Sequence, residues 1–298
     1  SGRFDRSQRH GRKLSLRMRE IADLTEIAAG FSAIVLDQFG VLHDGAQAYP
    51  GAVEILEAMK ARGQRLAVLS NSGKRAAPNV ARIAGMGFHP DLFEIVMSSG
   101  EALWQDVASG RVSAKRFFPV ARQLEDARSW ADGLEVEIVE SFRQADAVLV
   151  MGYPEPLPSG FEDCVFQRNA EGALPVYCTN PDRASPRGHG VVPSCGALAH
   201  RMAEAGQEVY FYGKPHVPIF AAMERALDLP SEALLMVGDS LEHDVAGAQA
   251  AGWQSLFLRA GLHAKHFVAS DDIPGVLSKL AETEAAPLPN FTAFRLAS

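Results

Sequence analysis

The sequence predicts an α/β fold, with a three-layer, Rossmann-like core on a parallel sheet and a second α/β domain inserted as a cap. Strand-like apolar runs alternate with helical stretches in the first and last thirds of the 298-residue chain. Polar and charged residues follow directly after several of these runs, and the carboxyl ends of the strands are where open parallel sheets bind their ligands. The middle third is too long to be a loop between two sheet units.

The composition is that of a soluble globular protein and limits the partners. Hydrophobic residues make up 47% of the chain and charged residues 22%, and the length suits two domains. The net charge of −7 argues against nucleic acid or an anionic membrane as the main partner. No apolar run is long enough for a membrane helix. The 3 cysteines show no metal-type spacing, so we expect a reducing, cytoplasmic setting.

Residues 1–20 differ from the rest and are predicted to be a basic N-terminal arm. Residues 1–19 contain one acid, Asp5, among many basic residues. Its basic residues are Arg3, Arg6, Arg9, Arg12, Lys13, Arg17 and Arg19. A disordered arm and a loosely docked helix both fit this pattern, and an Arg-rich, acid-poor segment is also typical of a transit peptide.

Residues 21–112 and 207–298 are predicted to form one core. Short runs rich in Val, Ile and Leu are typical of parallel strands buried on both faces. The predicted strands are 33–36, 66–69, 95–97, 209–212, 234–237 and 255–258. The helices predicted between and after them lie near 52–61, 75–84, 101–108, 218–227, 244–251 and 273–283. This alternation indicates βαβ units and a mostly parallel sheet.

Residues 113–206 are predicted to be the inserted cap. They hold further strand candidates, and proline-rich turns separate these from helical stretches. The candidate strands are 135–139, 147–151 and 176–179. We therefore expect a second α/β domain that closes over the carboxyl edge of the core sheet.

Four polar segments follow predicted strands and are the candidates for chemistry. They are Asp37-Gln38-Phe39-Gly40-Val41-Leu42, Ser70-Asn71-Ser72, Gly213-Lys214-Pro215 and Gly238-Asp239-Ser240 with Asp244 beyond it. Each segment alone is a weak signal, because a hydroxyl after a strand is often a helix cap and Gly-Lys-Pro is often a turn. Together, in this order, they indicate one site at the carboxyl edge of the sheet.

In that order the segments resemble the motifs of the haloacid dehalogenase superfamily of phosphohydrolases, over nearly all of the chain after residue 30. Asp37 and Ser70 are too close in the chain to leave room for a cap between them. The chain is therefore similar to the subclass with a large α/β, type-two cap between the second and third motifs. That subclass includes nitrophenylphosphatase-like and pyridoxal-phosphate-phosphatase-like enzymes. The segments 98–101 and 179–182 add to this resemblance.

The resemblance implies a role for each matching residue. Asp37 would attack phosphorus, Ser70 would hold phosphoryl oxygens, and Lys214 would neutralise charge and orient Asp37. Mg²⁺ would be bound by Asp37, the backbone carbonyl of Phe39 and Asp239, with Asp244 as an outer ligand, since Mg²⁺ prefers oxygen. The predicted phosphate- or substrate-binding residues are Ser70, Asn71, Ser72, Asn180 and Asp182. Asn71 and Ser72 could instead cap the next helix, and Asn180 and Asp182 could form an ordinary turn.

Phe39 departs from the family pattern, because the phosphatases usually have Asp at this position. Phe cannot transfer a proton, and general acid–base catalysis contributes about 10² to 10⁴ in rate. His43 follows the motif and is a candidate replacement.

Three functions remain open at this stage. The first is a Mg²⁺-dependent phosphatase of a small phosphorylated metabolite, with sugar phosphates among the candidates, and the second is a weak or inactive phosphate-binding protein. The third is a dehalogenase-like hydrolase, in which an aromatic residue can occupy the position of Phe39. A homodimer is compatible with the resemblance, because similar caps can dimerise.

Overall fold

The computed structural model describes residues 18–187, 190–268 and 271–297. Residues 1–17, most of the predicted basic arm, lie outside the described residues. Within the described ranges the chain forms a seven-stranded sheet, a five-stranded sheet and a two-stranded ribbon. All pairs in the two larger sheets are parallel.

The elements follow one another in three blocks. The first block contains β1 (Arg19–Glu20), α1 (Thr25–Ala28), β2 (Ala33–Leu36), α2 (Ala52–Ala61), β3 (Arg65–Ser70), α3 (Ala76–Ala84), β4 (Ile95–Ser98) and α4 (Ser99–Ala108). The second contains β5 (Arg116–Val120), α5 (Leu124–Ala131), β6 (Glu137–Ile138), β7 (Ala147–Val150), α6 (Phe161–Gly172), β8 (Val176–Cys178), β9 (Ala184–Arg187), β10 (Gly190–Pro193), α7 (Gly196–Glu204) and β11 (Val209–Phe211). The third contains α8 (Val217–Leu227), β12 (Leu234–Gly238), a π-helical turn (Leu241–Val245), α9 (Ala246–Ala250), β13 (Gln254–Leu258), α10 (Ile273–Thr283) and β14 (Phe291–Ala293).

The seven-stranded sheet has the order β1-β14-β13-β12-β2-β3-β4, which confirms the predicted α/β, Rossmann-like fold class. β2 and β12 lie at its centre, and both are buried along their whole length. Their residues are apolar apart from the glycine that ends β12, as expected for central parallel strands covered on both faces. Successive side chains of a strand point to opposite faces. Accordingly, Val35 and Met236 pack in one core cluster, and Leu36 and Val237 pack in another. The sheet is therefore the middle of three layers.

The second sheet has the order β11-β8-β7-β5-β6 and corresponds to the predicted cap. The prediction that 209–212 is a core strand was wrong. β11 pairs with β8 at the edge of the cap sheet, with Val209 opposite Val176. An apolar run identifies a strand but not its partner. The five-stranded sheet therefore extends past the predicted boundary between residues 206 and 207.

The predicted strands omit β1, β5, β9, β10 and β14, which are short or have Pro among their residues. β5 contains both Arg and Pro, and Pro is depleted in strands. β1 is two residues long and pairs with β14 through Arg19 and Glu20, so the end of the predicted arm belongs to the core sheet. None of the helices in the three described ranges combines the length and apolar character needed to cross a bilayer. Cys164, Cys178 and Cys195 are free thiols.

Candidate active site

The carboxyl edge of the seven-stranded sheet brings three predicted acids together. Asp37 follows β2 directly, and Asp239 follows β12, which pairs with β2 in parallel. Asp244 lies in the π-helical turn after β12. Carboxylate oxygens of the three residues lie within 4.8 Å of one another. The predicted acids therefore form a single cluster.

Lys214 reaches this cluster from the linker between β11 and α8. Its side chain is 3% exposed, and its Nζ lies 2.7 Å from Oδ1 of Asp37 and 2.6 Å from Oδ1 of Asp244. The other oxygen of Asp244 accepts the backbone N–H groups of Asp239 and Ser240, each at 3.1 Å. Both oxygens of Asp244 are thus engaged by the protein, which suits an outer position rather than direct contact with a cation.

Asp239 is held between two glycine backbones. A Cβ on Gly40 would lie 1.8 Å from Oδ2 of Asp239, and one on Gly261 would lie 2.2 Å from the same oxygen. Gly40 also has a φ of +85°, a conformation that favours glycine. The backbone N–H of Leu262 donates to this oxygen at 2.7 Å. The sequence analysis did not identify Gly261 and Leu262 as part of the site. Their place just after the core strand β13 was the one sequence feature that pointed to them.

The acids are difficult to ionise together when no cation is bound. Burial raises the pKa of Asp37 to about 6, and the charge of Asp244 adds to this while Lys214 opposes it. Burial raises the pKa of Asp239 to about 8, with further increases from Asp37 and Asp244. Burial alone would lower the pKa of Lys214, but Asp244 and Asp37 outweigh it and raise the pKa. One lysine therefore does not balance the negative charge of three carboxylates.

The donor set fits Mg²⁺. All the candidate side-chain ligands are carboxylate oxygens, which hard divalent cations prefer. Oδ1 of Asp239 accepts no hydrogen bond from any residue in the described part of the chain. A bound cation would lower the pKa of the acids around it, because it favours their charged form.

The second predicted segment lies beside this cluster at the end of β3. Ser70 ends β3 and is buried. Asn71 donates from Nδ2 to Oδ1 of Asp182 and to the backbone carbonyl of Lys214. Ser72 accepts the backbone N–H of Lys74 at 3.4 Å. The alternative that Asn71 or Ser72 caps α3 is wrong, because α3 begins after Arg75 and has no side-chain cap from its N-cap residue.

The segment after β8 returns from the cap sheet to the same place. Oδ1 of Asn180 accepts the backbone N–H of Asp182 at 3.3 Å, so this residue forms a local turn. Asp182 reaches the core through Asn71, and Nε2 of His243 lies 3.7 Å from its Oδ1. His243 was not predicted as a site residue, and its place in the turn after β12 was the only signal for it.

Phe39 is half-exposed, and His43 behind it is enclosed. The ring of Phe39 is 47% exposed and packs edge-on against the ring of His43, with centroids 6.2 Å apart. Nδ1 of His43 accepts the backbone N–H of Gly45 at 3.0 Å. Burial lowers the pKa of His43 to about 4, and Arg82 adds to this. His43 is therefore neutral and buried at neutral pH, which is unsuitable for an acid that must reach a substrate.

Two family models match the chain on either side of the cap. The model described as haloacid dehalogenase-like hydrolase matches residues 34–128. The model described as HAD-hydrolase-like matches residues 211–283. The first match contains Asp37 and Ser70, and the second contains Lys214, Asp239 and Asp244.

Curated relatives and a solved structure are similar over most of the chain. Chronophin of Homo sapiens is 27% identical over 254 residues, which cover 81% of this chain and 85% of chronophin. Dihydroxyacetone phosphatase of Corynebacterium glutamicum (strain R) is 24% identical, covering 76% of this chain and 80% of that enzyme. The crystal structure of a haloacid dehalogenase-like hydrolase from Brucella suis 1330 is 26% identical with a TM-score of 0.75, and the match covers 93% of this chain and 100% of that one. The match to the Brucella suis structure thus covers nearly the whole chain.

Proposed function

Because the chain belongs to the haloacid dehalogenase-like hydrolase family, we propose that it is a Mg²⁺-dependent phosphomonoesterase that acts through an aspartyl-phosphate on Asp37. The main support for this proposal is that the buried Lys214 contacts Asp37 within a cluster of three acids. Phosphoryl transfer depends mainly on positioning and on stabilising spread negative charge, which this cluster with a bound cation provides. The substrate class is a small phosphorylated metabolite, with sugar phosphates as first candidates, and the similarity to a dihydroxyacetone phosphatase supports it.

The residues divide the reaction between them. A carboxylate oxygen of Asp37 attacks phosphorus, the ester oxygen leaves, and water then hydrolyses the aspartyl-phosphate to release phosphate. Lys214 holds Asp37 in place and neutralises charge on the transferred group, and Ser70 hydrogen-bonds phosphoryl oxygens. Asp37, Asp239 and the carbonyl of Phe39 would hold Mg²⁺, with Asp244 outside them. When bound, the ion supplies charge stabilisation at the phosphoryl group.

Phe39 changes the proton transfer in this scheme. A leaving alkoxide needs a proton, and neither Phe39 nor the enclosed His43 can give it. We therefore propose that the proton comes from water, and the attacking water has no carboxylate of residue 39 to activate it. We expect turnover below that of a site with an acid at this position, by about 10² to 10⁴.

Phe39 also supports a second candidate, a protein that binds a phosphorylated ligand and turns it over weakly or not at all. Lys214 contacts Asp37 in the acidic cluster, whereas residue 39, where the phosphatases of the family usually have an acid, is a half-exposed Phe ring. The dehalogenase-like alternative has no comparable support. Residues 37–64, all described, hold α2 and no cap domain.

Phosphate release tests the proposal. We expect release from p-nitrophenyl phosphate, dihydroxyacetone phosphate and glycerol 3-phosphate in Mg²⁺, and none in EDTA. Calorimetric titration with the same compounds separates the two candidates. Binding without release over long incubation would favour the phosphate-binding protein, and neither binding nor release would contradict both.

Without Mg²⁺, the cluster is expected to make the fold less stable as the pH rises from about 4 to about 8. Folding raises the pKa of Asp239 from 3.8 to about 8, so between these values the folded state holds a proton that the unfolded state has lost. Mg²⁺ binds the deprotonated acids, so it should raise the melting temperature more at pH 8 than at pH 5. Thermal melts at both pH values, with Mg²⁺ and with EDTA, measure this difference.

The matched variant is Asp239→Asn, which removes the titrating group at nearly constant size. We expect a smaller fall in stability over this pH interval and a reduced response to Mg²⁺. Asp91→Asn changes an acid with an 89% exposed side chain and should keep both wild-type properties. An Asp239→Asn protein with the wild-type pH slope and the wild-type Mg²⁺ response would show that Asp239 is not a ligand.

A further inference from the structure

We propose that Asn71 is a positioning residue that locks the catalytic Lys214 to the cap segment through Asp182, and is not a ligand of the substrate. The kinetic consequence of this inference rests on the proposed phosphatase chemistry, whereas its structural consequence does not. Asn71, Asp182 and Lys214 come from three separate segments: the end of β3, the return from the cap sheet after β8, and the linker before α8.

Both the oxygen and the nitrogen of the Asn71 side-chain amide form hydrogen bonds within the protein. Its Oδ1 accepts the backbone N–H of Lys214 at 2.6 Å. Its Nδ2 donates to the backbone carbonyl of Lys214 at 3.1 Å and to Oδ1 of Asp182 at 2.8 Å. An amide nitrogen carries two protons, and both are donated here. Phosphoryl oxygens are acceptors, so this side chain has no donor left for them.

Packing brings the three segments into direct contact. A Cβ on Gly213 would lie 2.4 Å from Cδ of Pro181 and 2.8 Å from Oδ1 of Asn71. A Cβ on Gly196, at the start of α7, would lie 2.4 Å from the backbone of Pro181 and Asp182. The linker before Lys214 therefore lies directly against the cap return, and Asn71 binds both.

The hydrogen bonds of Asn71 to Lys214 and Asp182 matter because the Nζ of Lys214 must lie between two carboxylates. That nitrogen lies 2.7 Å from Asp37 and 2.6 Å from Asp244 in a buried site. Fixing both backbone polar groups of Lys214 fixes the origin of its long side chain. A displacement of about 1 Å at a reacting group can cost about 10² in rate. Asn71 thus acts on the reaction through Lys214.

Asn71→Asp tests the lock kinetically. The new carboxylate still accepts the N–H of Lys214, but it loses both donors and faces the carboxylate of Asp182. We expect kcat to fall by about 10- to 100-fold while KM changes less than about threefold, because positioning is lost and binding is not. A rise in KM with unchanged kcat would identify Asn71 as a substrate ligand and overturn the inference.

The exchange variant Asn71→Asp with Asp182→Asn reverses the donor and the acceptor. The amide introduced at position 182 can donate to the carboxylate introduced at position 71, so the bond between the two segments forms again without repulsion. We expect kcat at least about fivefold above that of Asn71→Asp alone, since coupled residues show non-additive effects. A double variant no faster than Asn71→Asp would show that the bond to Asp182 plays no part.

Hydrogen exchange gives a readout that needs no activity. The N–H of Lys214 is protected by Asn71, so Asn71→Ala should speed its exchange, and Asn71→Asp should leave it slow. The control is Asn79→Ala, which removes a buried amide bonded to the carbonyl of Arg75 and should not change exchange at Lys214. Unchanged exchange in Asn71→Ala would overturn the inference. Faster exchange in a protein without phosphatase activity would contradict only the proposed function.

Discussion

Asp37→Asn is expected to abolish phosphate release, with kcat lower by at least about 10³-fold. An amide of the same size keeps the fold but is not nucleophilic, so no aspartyl-phosphate forms. It also removes one carboxylate from around Lys214, which keeps its contact with Asp244. Steady-state assays in Mg²⁺ measure kcat. Mass spectrometry of acid-quenched protein detects a phosphoryl group on the wild type only.

The matched control for Asp37→Asn is Asp44→Asn in the same loop. Asp44 is exposed, and its Oδ1 accepts the backbone N–H groups of Ala46 and Gln47, each at 2.9 Å. Asn can accept the same bonds, so activity should stay within about twofold of wild type. Turnover by Asp37→Asn at the wild-type rate would show that another group attacks phosphorus. Loss in both variants would indicate that the loop, and not the nucleophile, was damaged.

The location of the acids could be predicted from the sequence because it depends on local patterns. Apolar runs place Asp37 and Asp239 at strand ends, and parallel strands share one carboxyl edge. The contacts of Asn71 could not be predicted. Its partners lie 111 and 143 residues away in the chain, and only the packing of three segments brings them together. A polar residue after a strand looks the same whether it binds a ligand, caps a helix or holds another loop.

The error at β11 has a related cause. Residues 209–212 form a short apolar run directly before Gly213 and Lys214, and this pattern predicts a core strand that carries the lysine. The structure instead ends the cap sheet with this strand and reaches Lys214 through a linker. The backbone of Lys214 is therefore held by Asn71, beside the segment that returns from the cap sheet. A strand of the core sheet would instead have held it by backbone pairing.

Phe39→Asp is expected to raise kcat by about 10² or more, within the 10² to 10⁴ that general acid–base catalysis contributes. The site already holds Asp37, the proposed nucleophile, in contact with Lys214 and in a cluster with Asp239 and Asp244. A carboxyl group at residue 39 would add the proton transfer to the leaving oxygen and the activation of water. The ring of Phe39 is 47% exposed, so its loss should cost little stability. Steady-state assays with p-nitrophenyl phosphate and with an alkyl phosphate measure the gain.

The two substrates and one control variant identify the source of the gain. Nitrophenolate leaves without protonation more easily than an alkoxide, so the gain should be larger for the alkyl phosphate. Phe39→Asn opens the same space without a transferable proton, and its rate should stay close to that of wild type. An equal gain in both variants would mean that the ring obstructs the site. No gain in Phe39→Asp, with Mg²⁺ still bound, would show that the missing acid is not the limiting element and would favour the phosphate-binding protein.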